Sequence, residues 1–104
     1  MKTSELTGTA LDWAVAKAIG EYKPVAVPSY STDWAQGGPI IERERITLSC
    51  WSIHSTPWKA SIEGDTDAGV DLYMEHGTTP LIAAMRCYVA SKLGDDIEIP
   101  EELK

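Results

Sequence analysis

The chain has 104 residues, of which 43% are hydrophobic and 24% are charged, a composition typical of one folded domain spanning residues 1–104. Sixteen acidic residues against nine basic ones give a net charge of −7, which repels phosphate backbones and argues against general nucleic-acid binding. No apolar run has the length of a membrane span or the pattern of a secretory signal, so we predict a cytoplasmic protein with no membrane contact.

The first predicted element is a helix of about three turns that begins after Thr7 and ends at Gly20. Its apolar positions recur at helical spacing on one face: Leu11, Ala14, Val15, Ala18 and Ile19. Trp13 lies on the opposite face. Either the segment 22–30 folds over this indole, or the indole is exposed and available to a partner.

Three short strands are predicted to follow, at Arg45–Ile53, Trp58–Glu63 and Val70–Glu75, with a turn at Gly64–Gly69. Strict alternation in the middle strand places three apolar side chains on its inner face, namely Trp58, Ala60 and Ile62. Consecutive strands joined by short connections pair most simply with their neighbours, which predicts an antiparallel meander.

A long C-terminal helix is predicted from its caps, with Thr78 or Thr79 before it, Pro80 at its first position and Gly94 at its end. One side is broadly apolar and the other carries small residues, so we expect this helix to be covered on much of its circumference and to lie across the sheet. Residues 95–100 are expected to be extended and residues 101–104 to form a frayed tail. The predicted fold class is α+β: an N-terminal helix, a three-stranded antiparallel meander and a long C-terminal helix packed on the sheet.

The stretch YSTDWAQGGPIIERERI, residues 30–46, matches neither a strand nor an amphipathic helix. Ser31 or Asp33 can set up a turn by bonding nearby backbone amides. The pair Gly37 and Gly38 permits unusual backbone angles or close approaches, and Pro39 is suited to begin a short helix. The backbone amides of Gly37–Ile40 would then point outward as donors for a carboxylate or phosphate, unless an internal acid such as Asp33 occupies them.

Histidine and cysteine spacing gives no zinc motif, since Cys50 and His54 lack the close pairs of a metal site and His76 and Cys87 lie far along the chain. We predict two buried, reduced thiols, no metal and no cofactor.

Catalytic motifs are missing too, because the chain has neither a nucleophile elbow nor a phosphate-binding Walker loop. Asp33 and Glu42 would form an acid–base pair only if the stretch folds back on itself. The competing interpretation is that they are solvated or paired with Arg43 or Arg45. We therefore predict a protein that is not an enzyme.

Arg86 is placed by helical spacing at the border of the apolar face, where a guanidinium must find an acceptor. One interpretation is an internal ion pair with Glu42, Asp33 or a strand carboxylate. The other is an anion-binding role at the edge of a pocket built by Tyr30, Trp34 and the Gly-Gly turn.

Three segments, ALDWAVAKA, YSTDWAQGGPIIERE and TPLIAAMRCYVASKLGD, resemble the NinX-like family of small proteins encoded by tailed phages and prophages. The resemblance covers about half of the chain, in three separate pieces, and little of residues 47–77. It implies an accessory phage protein in the bacterial host cytoplasm. It assigns no catalytic residue.

Two functions follow as expectations. The first is a non-enzymatic accessory protein that binds a host or phage protein through the Tyr30–Glu42 surface. The second is a binder of a small anionic ligand, nucleotide-like or a carboxylate, that uses Trp34, the Gly37–Ile40 amides and Arg86. A homodimer is compatible with either. The candidate binding residues are Tyr30, Asp33, Trp34, Gly37, Gly38, Glu42 and Arg86.

Overall fold

A computed structural model of the protein describes residues 1–20, 27–50, 57–63 and 71–103. The helices and strands of these ranges are α1 Gly8–Ile19, α2 Trp34–Glu44, β1 Thr47–Cys50, β2 Trp58–Glu63, β3 Asp71–Gly77 and α3 Pro80–Leu93. Short 3₁₀ turns lie at Thr3–Glu5 and Glu101–Leu103. The predicted α+β class is confirmed, with one further helix, α2, of which the sequence predicts only a short part beginning at Pro39.

The three strands form one sheet in the order β1-β2-β3, with both pairs antiparallel. Ala60 in the central strand lies opposite Leu48 on one side and Glu75 on the other. The predicted meander is therefore confirmed. The first strand begins at Thr47 and not at Arg45, because Arg45 has a left-handed backbone (φ 54°) and ends α2. Residues 51–53 of that predicted strand, the predicted turn 64–69 and residue 70 of the third predicted strand lie outside the described ranges.

The predicted C-terminal helix is confirmed at both ends. Thr79 Oγ1 accepts the Ile82 amide at 3.1 Å, and the Gly94 amide donates to the Ala90 carbonyl at 3.0 Å. α3 contacts the sheet as well as α1 and α2, and nine of its residues are buried: Leu81 and Ala83 to Ala90. Small side chains at Ala83, Ala84 and Ala90 allow this coverage on several sides. α3 is covered on much of its circumference and packs on the sheet, as predicted.

α1 lies against α3 through the predicted apolar face, with Leu11, Ala14 and Val15 fully buried, and Gly20 ends it with a left-handed backbone. The two ends of the chain meet beside these helices. The Thr3 amide donates to the Asp95 carbonyl at 2.8 Å, and the segment after α3 buries Ile97 and Ile99. Where fraying is predicted, Glu101–Leu103 forms a 3₁₀ turn.

Candidate functional site

The stretch from residue 34 to residue 44 is helical, which corrects the expected turn followed by a short helix starting at Pro39. Asp33 is the N-cap of α2, since its Oδ1 accepts the Ala35 amide at 2.9 Å. The Asp33 carbonyl then accepts the amides of Gln36 and Gly37. Three consecutive helix-breaking residues hide this helix from sequence patterns, and tertiary packing overrides their low propensity.

Gly37 is where α2 packs most closely on the rest of the molecule. A Cβ atom added there would collide with the backbone oxygen of Tyr30 and would lie 2.7 Å from Leu81 Cδ1. At Gly38 the nearest atom to an added Cβ would be Trp34 Cε3, at 3.9 Å. The predicted close approach is thus made at the first glycine of the pair, and Gly38 has room for a methyl group.

The expected set of outward amide donors at Gly37–Ile40 is not formed. The Gly37 amide donates to the Asp33 carbonyl at 2.9 Å, and Pro39, inside the helix, has no amide hydrogen to offer. A helix interior uses its amides in its own hydrogen bonds, so this segment has no cradle for an anion.

Trp34 stands at the first position of α2 and its side chain is 52% exposed. It forms one wall of a groove of about 220 Å³ at the place where the N-termini of α2 and α3 meet. The residues that line it are Ser31, Thr32, Trp34, Thr79, Leu81 and Ile82, and we refer to it as the Trp34 groove. Apolar carbon and hydroxyl groups form this lining, and none of the six side chains is charged.

Tyr30 is not an aromatic wall of this groove, which corrects the expectation from sequence. It is buried in the core, and its backbone oxygen abuts Gly37. The next residue, Ser31, is held by α1, because its amide donates to Asp12 Oδ1 at 2.8 Å. One lining residue of the groove, Ser31, is thereby fixed by a contact with α1.

Asp33 and Glu42 do not converge. They lie at opposite ends of α2, nine residues apart, which corresponds to about 13 Å along a helix axis. The Asp33 carboxylate caps the helix, and Glu42 is exposed. Near the second end, Glu44 pairs with Arg43 at 3.2 Å and with Lys92 at 3.5 Å. An acid–base pair on this stretch is excluded by the geometry.

Arg86 is only 8% exposed and is not among the residues of the Trp34 groove. Its Nε donates to the Leu6 carbonyl at 2.8 Å, and its Nη1 donates to the His76 carbonyl at 2.7 Å. Burial lowers the pKa of the guanidinium, while the negative charge of Glu75 on β3 acts in the opposite direction. Of the two interpretations of Arg86, an internal partner therefore agrees better with the structure than an anion-binding role. The principal acceptors are backbone carbonyls, and the carboxylate of Glu75 is a nearby opposite charge.

Glu75 is the acidic counterpart of Arg86 inside the fold. Burial raises the pKa of its carboxyl group, the nearby charge of Asp95 raises it further, and Arg86 lowers it. The opposite charges of Arg86 on α3 and Glu75 on β3 thus compensate each other in part. Neither residue is part of the Trp34 groove.

Both cysteines are free, which confirms the predicted thiols, but Cys50 is exposed and only Cys87 is buried. Cys50 ends the edge strand β1, and a position at the end of an edge strand is less covered than one in a central strand. His54 lies outside the described residues. Within the described residues, no three His, Cys, Asp or Glu side chains group as metal ligands would.

Trp13 is partly buried and packs against the core, with Lys17 Nζ at 5.2 Å from the centre of its ring. Of the segment predicted to cover it, residues 22–26 lie outside the described ranges, whereas Val27 also packs on the core.

No helix in the described ranges combines the length and apolarity required to cross a membrane.

The candidate binding residues named from the sequence include Trp34 but not Leu81 and Ile82, which line the same groove. Thr79 was recognised only as a helix cap. The sequence signal that could have pointed to these residues is the capping residue before each helix, Asp33 for α2 and Thr79 for α3. Nothing in the sequence shows that the starts of the two helices lie side by side.

Comparison with protein families shows that residues 21–92 match the family described as Bacteriophage P22, NinX. The match covers more than two thirds of the chain and includes α2, the sheet and nearly all of α3. Comparison with curated proteins finds no match.

Proposed function

Because this chain belongs to the bacteriophage P22 NinX family, we propose that it is a non-enzymatic phage accessory protein that binds a host or phage protein in the cytoplasm of the bacterial host. The binding surface is the outer part of Tyr30–Glu42 together with the start of α3, centred on the Trp34 groove. Of the candidate binding residues named from the sequence, Asp33 and Trp34 belong to this proposed surface.

The exposure of Trp34 is the observation that supports this proposal. An indole that remains 52% exposed beside Leu81 and Ile82 contributes little to the core, yet it keeps a large apolar surface in water. Tryptophan is among the residues that contribute most to binding at protein interfaces, where it fills or forms a pocket at the centre of the contact. Trp34 stands at the capped start of a helix, where the backbone is already ordered, so binding would cost little additional backbone entropy.

The alternative function, binding of a small anionic ligand, has less support. It requires Trp34, the Gly37–Ile40 amides and Arg86 to act on one molecule. Arg86 donates instead to the carbonyls of Leu6 and His76, and the Gly37 amide is used within α2. An uncharged groove with an aromatic wall fits an apolar side chain of a protein better than it fits a phosphate or a carboxylate.

Affinity capture from phage-infected host lysate tests the proposal, with mass spectrometry of both proteins and metabolites. The chain offers a matched control, since Met74 on β3 is 50% exposed and lies outside the groove. We expect Trp34→Ala to lose a protein that the wild type and Met74→Ala both retain. An interface tryptophan contributes about 2 kcal/mol or more, a loss of at least about thirtyfold in affinity.

Thermal unfolding of the same variants separates binding from folding. Because about half of the indole is already in water, we expect Trp34→Ala to shift the melting temperature by no more than a few degrees. Capture of a metabolite in place of a protein would support the alternative. If Trp34→Ala unfolds the protein, the indole is part of the core and the proposed surface is wrong.

A further inference from the structure

The chemistry of the Trp34 groove limits what can occupy it. We propose that the partner segment that binds there presents one aliphatic or aromatic side chain directly beside a lysine or arginine. This inference rests on the proposed function and specifies the partner. The apolar side chain enters the groove, and the cation lies at its rim against Asp33 and the face of Trp34.

The interior of the groove is suited to a single apolar side chain. Its volume is about 220 Å³, and a protein cavity of about 150 Å³ is large enough to hold benzene. Leu81 and Ile82 supply aliphatic carbon and Trp34 supplies a ring, so an apolar group would bury surface on two sides. The Thr79 hydroxyl accepts the Ile82 amide, so one of its lone pairs is already used by the cap of α3.

No side chain in the lining of the groove is charged, and the charged side chain that adjoins the lining residues in the sequence is the carboxylate of Asp33. Asp33 lies between two lining residues, Thr32 and Trp34, and its side chain is exposed. One of its oxygens, Oδ1, caps α2 by accepting the Ala35 amide. A carboxylate in this position remains an acceptor for a lysine or arginine of a partner, and the adjacent indole face attracts the same cation.

The charge of the whole protein acts in the same direction. A net charge of −7 repels an acidic segment and draws a basic one toward the surface before contact. Near the other end of α2, Arg43 and Lys92 are both paired with Glu44, which reduces their attraction for an acidic partner. An apolar side chain followed or preceded by a cation therefore meets both requirements of the groove.

Selection from a displayed library of random peptides tests this inference without knowledge of the natural partner. We expect the selected peptides to share an aliphatic or aromatic residue adjacent to Lys or Arg. With a synthetic peptide of that kind, Trp34→Ala should weaken binding by at least about tenfold. Asp33→Asn should weaken it by roughly two- to fivefold, as for an exposed ion pair, and should reduce its dependence on salt.

Matched variants keep the test independent of folding. Asparagine caps helices about as well as aspartate, so Asp33→Asn changes the charge while it preserves the start of α2. Glu98→Gln makes the same change in charge at an exposed position that is not part of the Trp34 groove, and it should leave binding within about twofold of wild type. Replacing the lysine of the peptide with glutamine should reproduce the effect of Asp33→Asn with the unaltered protein.

The two proposals fail in distinguishable ways. Peptides that need Trp34 but contain no adjacent cation, and bind Asp33→Asn as well as wild type, would overturn the inference about the partner and leave the binding surface in place. Selected peptides whose binding is the same in wild type and Trp34→Ala would overturn both proposals.

Discussion

The guanidinium of Arg86 on α3 donates to the backbone oxygen of His76 near the end of β3, at 2.7 Å. Through Nε the same side chain donates to the Leu6 carbonyl at 2.8 Å, across a separation of 80 residues in the sequence. One buried cation thereby ties the N-terminal segment, the sheet and the central helix together. Buried carbonyls that lack a donor are costly, so this arrangement makes Arg86 a structural residue.

Replacing Arg86 with methionine should therefore lower the free energy of unfolding by about 3 kcal/mol, since two carbonyls would lose a charged donor and Glu75 would lose its counter-charge. Urea unfolding measures the change. Arg43→Met is the control, because its largely exposed side chain pairs with Glu44 at the surface, and it should cost no more than about 1 kcal/mol. Equal stability of the Arg86 variant and wild type would contradict the structural role and revive the anion-binding one.

Replacement by alanine should destabilise the protein more at Gly37 than at the adjacent Gly38. Gly37→Ala places a methyl group against the Tyr30 backbone oxygen and Leu81, and we expect a loss of about 1–3 kcal/mol from the resulting strain. Gly38→Ala meets only an ordinary contact at 3.9 Å. Its gain in helix propensity, up to about 1 kcal/mol, is offset because a residue before proline disfavours helical angles. Thermal unfolding of both variants measures the two changes in stability. A larger loss of stability in Gly38→Ala than in Gly37→Ala would contradict the packing of α2 described above.

Glu75 should make stability depend on pH in a predictable direction. Its pKa is raised in the folded protein, principally by burial. Between the ordinary pKa and the raised one, the folded state holds more protons than the unfolded state, so stability falls as pH rises through that interval. Glu75→Gln removes this loss, and the variant should be more stable than wild type at neutral pH but not at a pH below the ordinary carboxyl value.

Urea unfolding at a series of pH values measures the Glu75 effect, with Glu98→Gln as the control for an exposed acid. The difference between Glu75→Gln and wild type should grow as pH rises and then level off. A difference that is constant with pH would show that the carboxyl group of Glu75 is not the group responsible.

The two thiols should differ in reactivity because Cys50 is exposed and Cys87 is buried. A thiol reagent should modify one cysteine promptly in the native protein and the second only after unfolding. Cys50→Ser should remove the prompt phase. Rapid modification of both thiols in the native state would contradict the burial of Cys87 beneath the sheet.

Most of the fold follows from local patterns in the sequence. The caps Thr79 and Gly94 mark the ends of α3, and Gly20 marks the end of α1, because these residues satisfy helix ends or adopt left-handed angles. Alternation marks β2 over its full length, Trp58–Glu63. Each of these signals depends only on residues that are close together in the sequence. The resemblance to a phage family likewise depends on short contiguous segments.

The site depended on contacts that no local pattern contains. Gly37, Gly38 and Pro39 predict an interruption, yet α2 continues through them because Gly37 allows close packing on Tyr30 and Leu81. Tyr30 is core and Trp34 is exposed, although both are aromatics of one polar stretch. Tertiary structure alone decided which of them faces water, because burial depends on the position of α3, about fifty residues further along the chain.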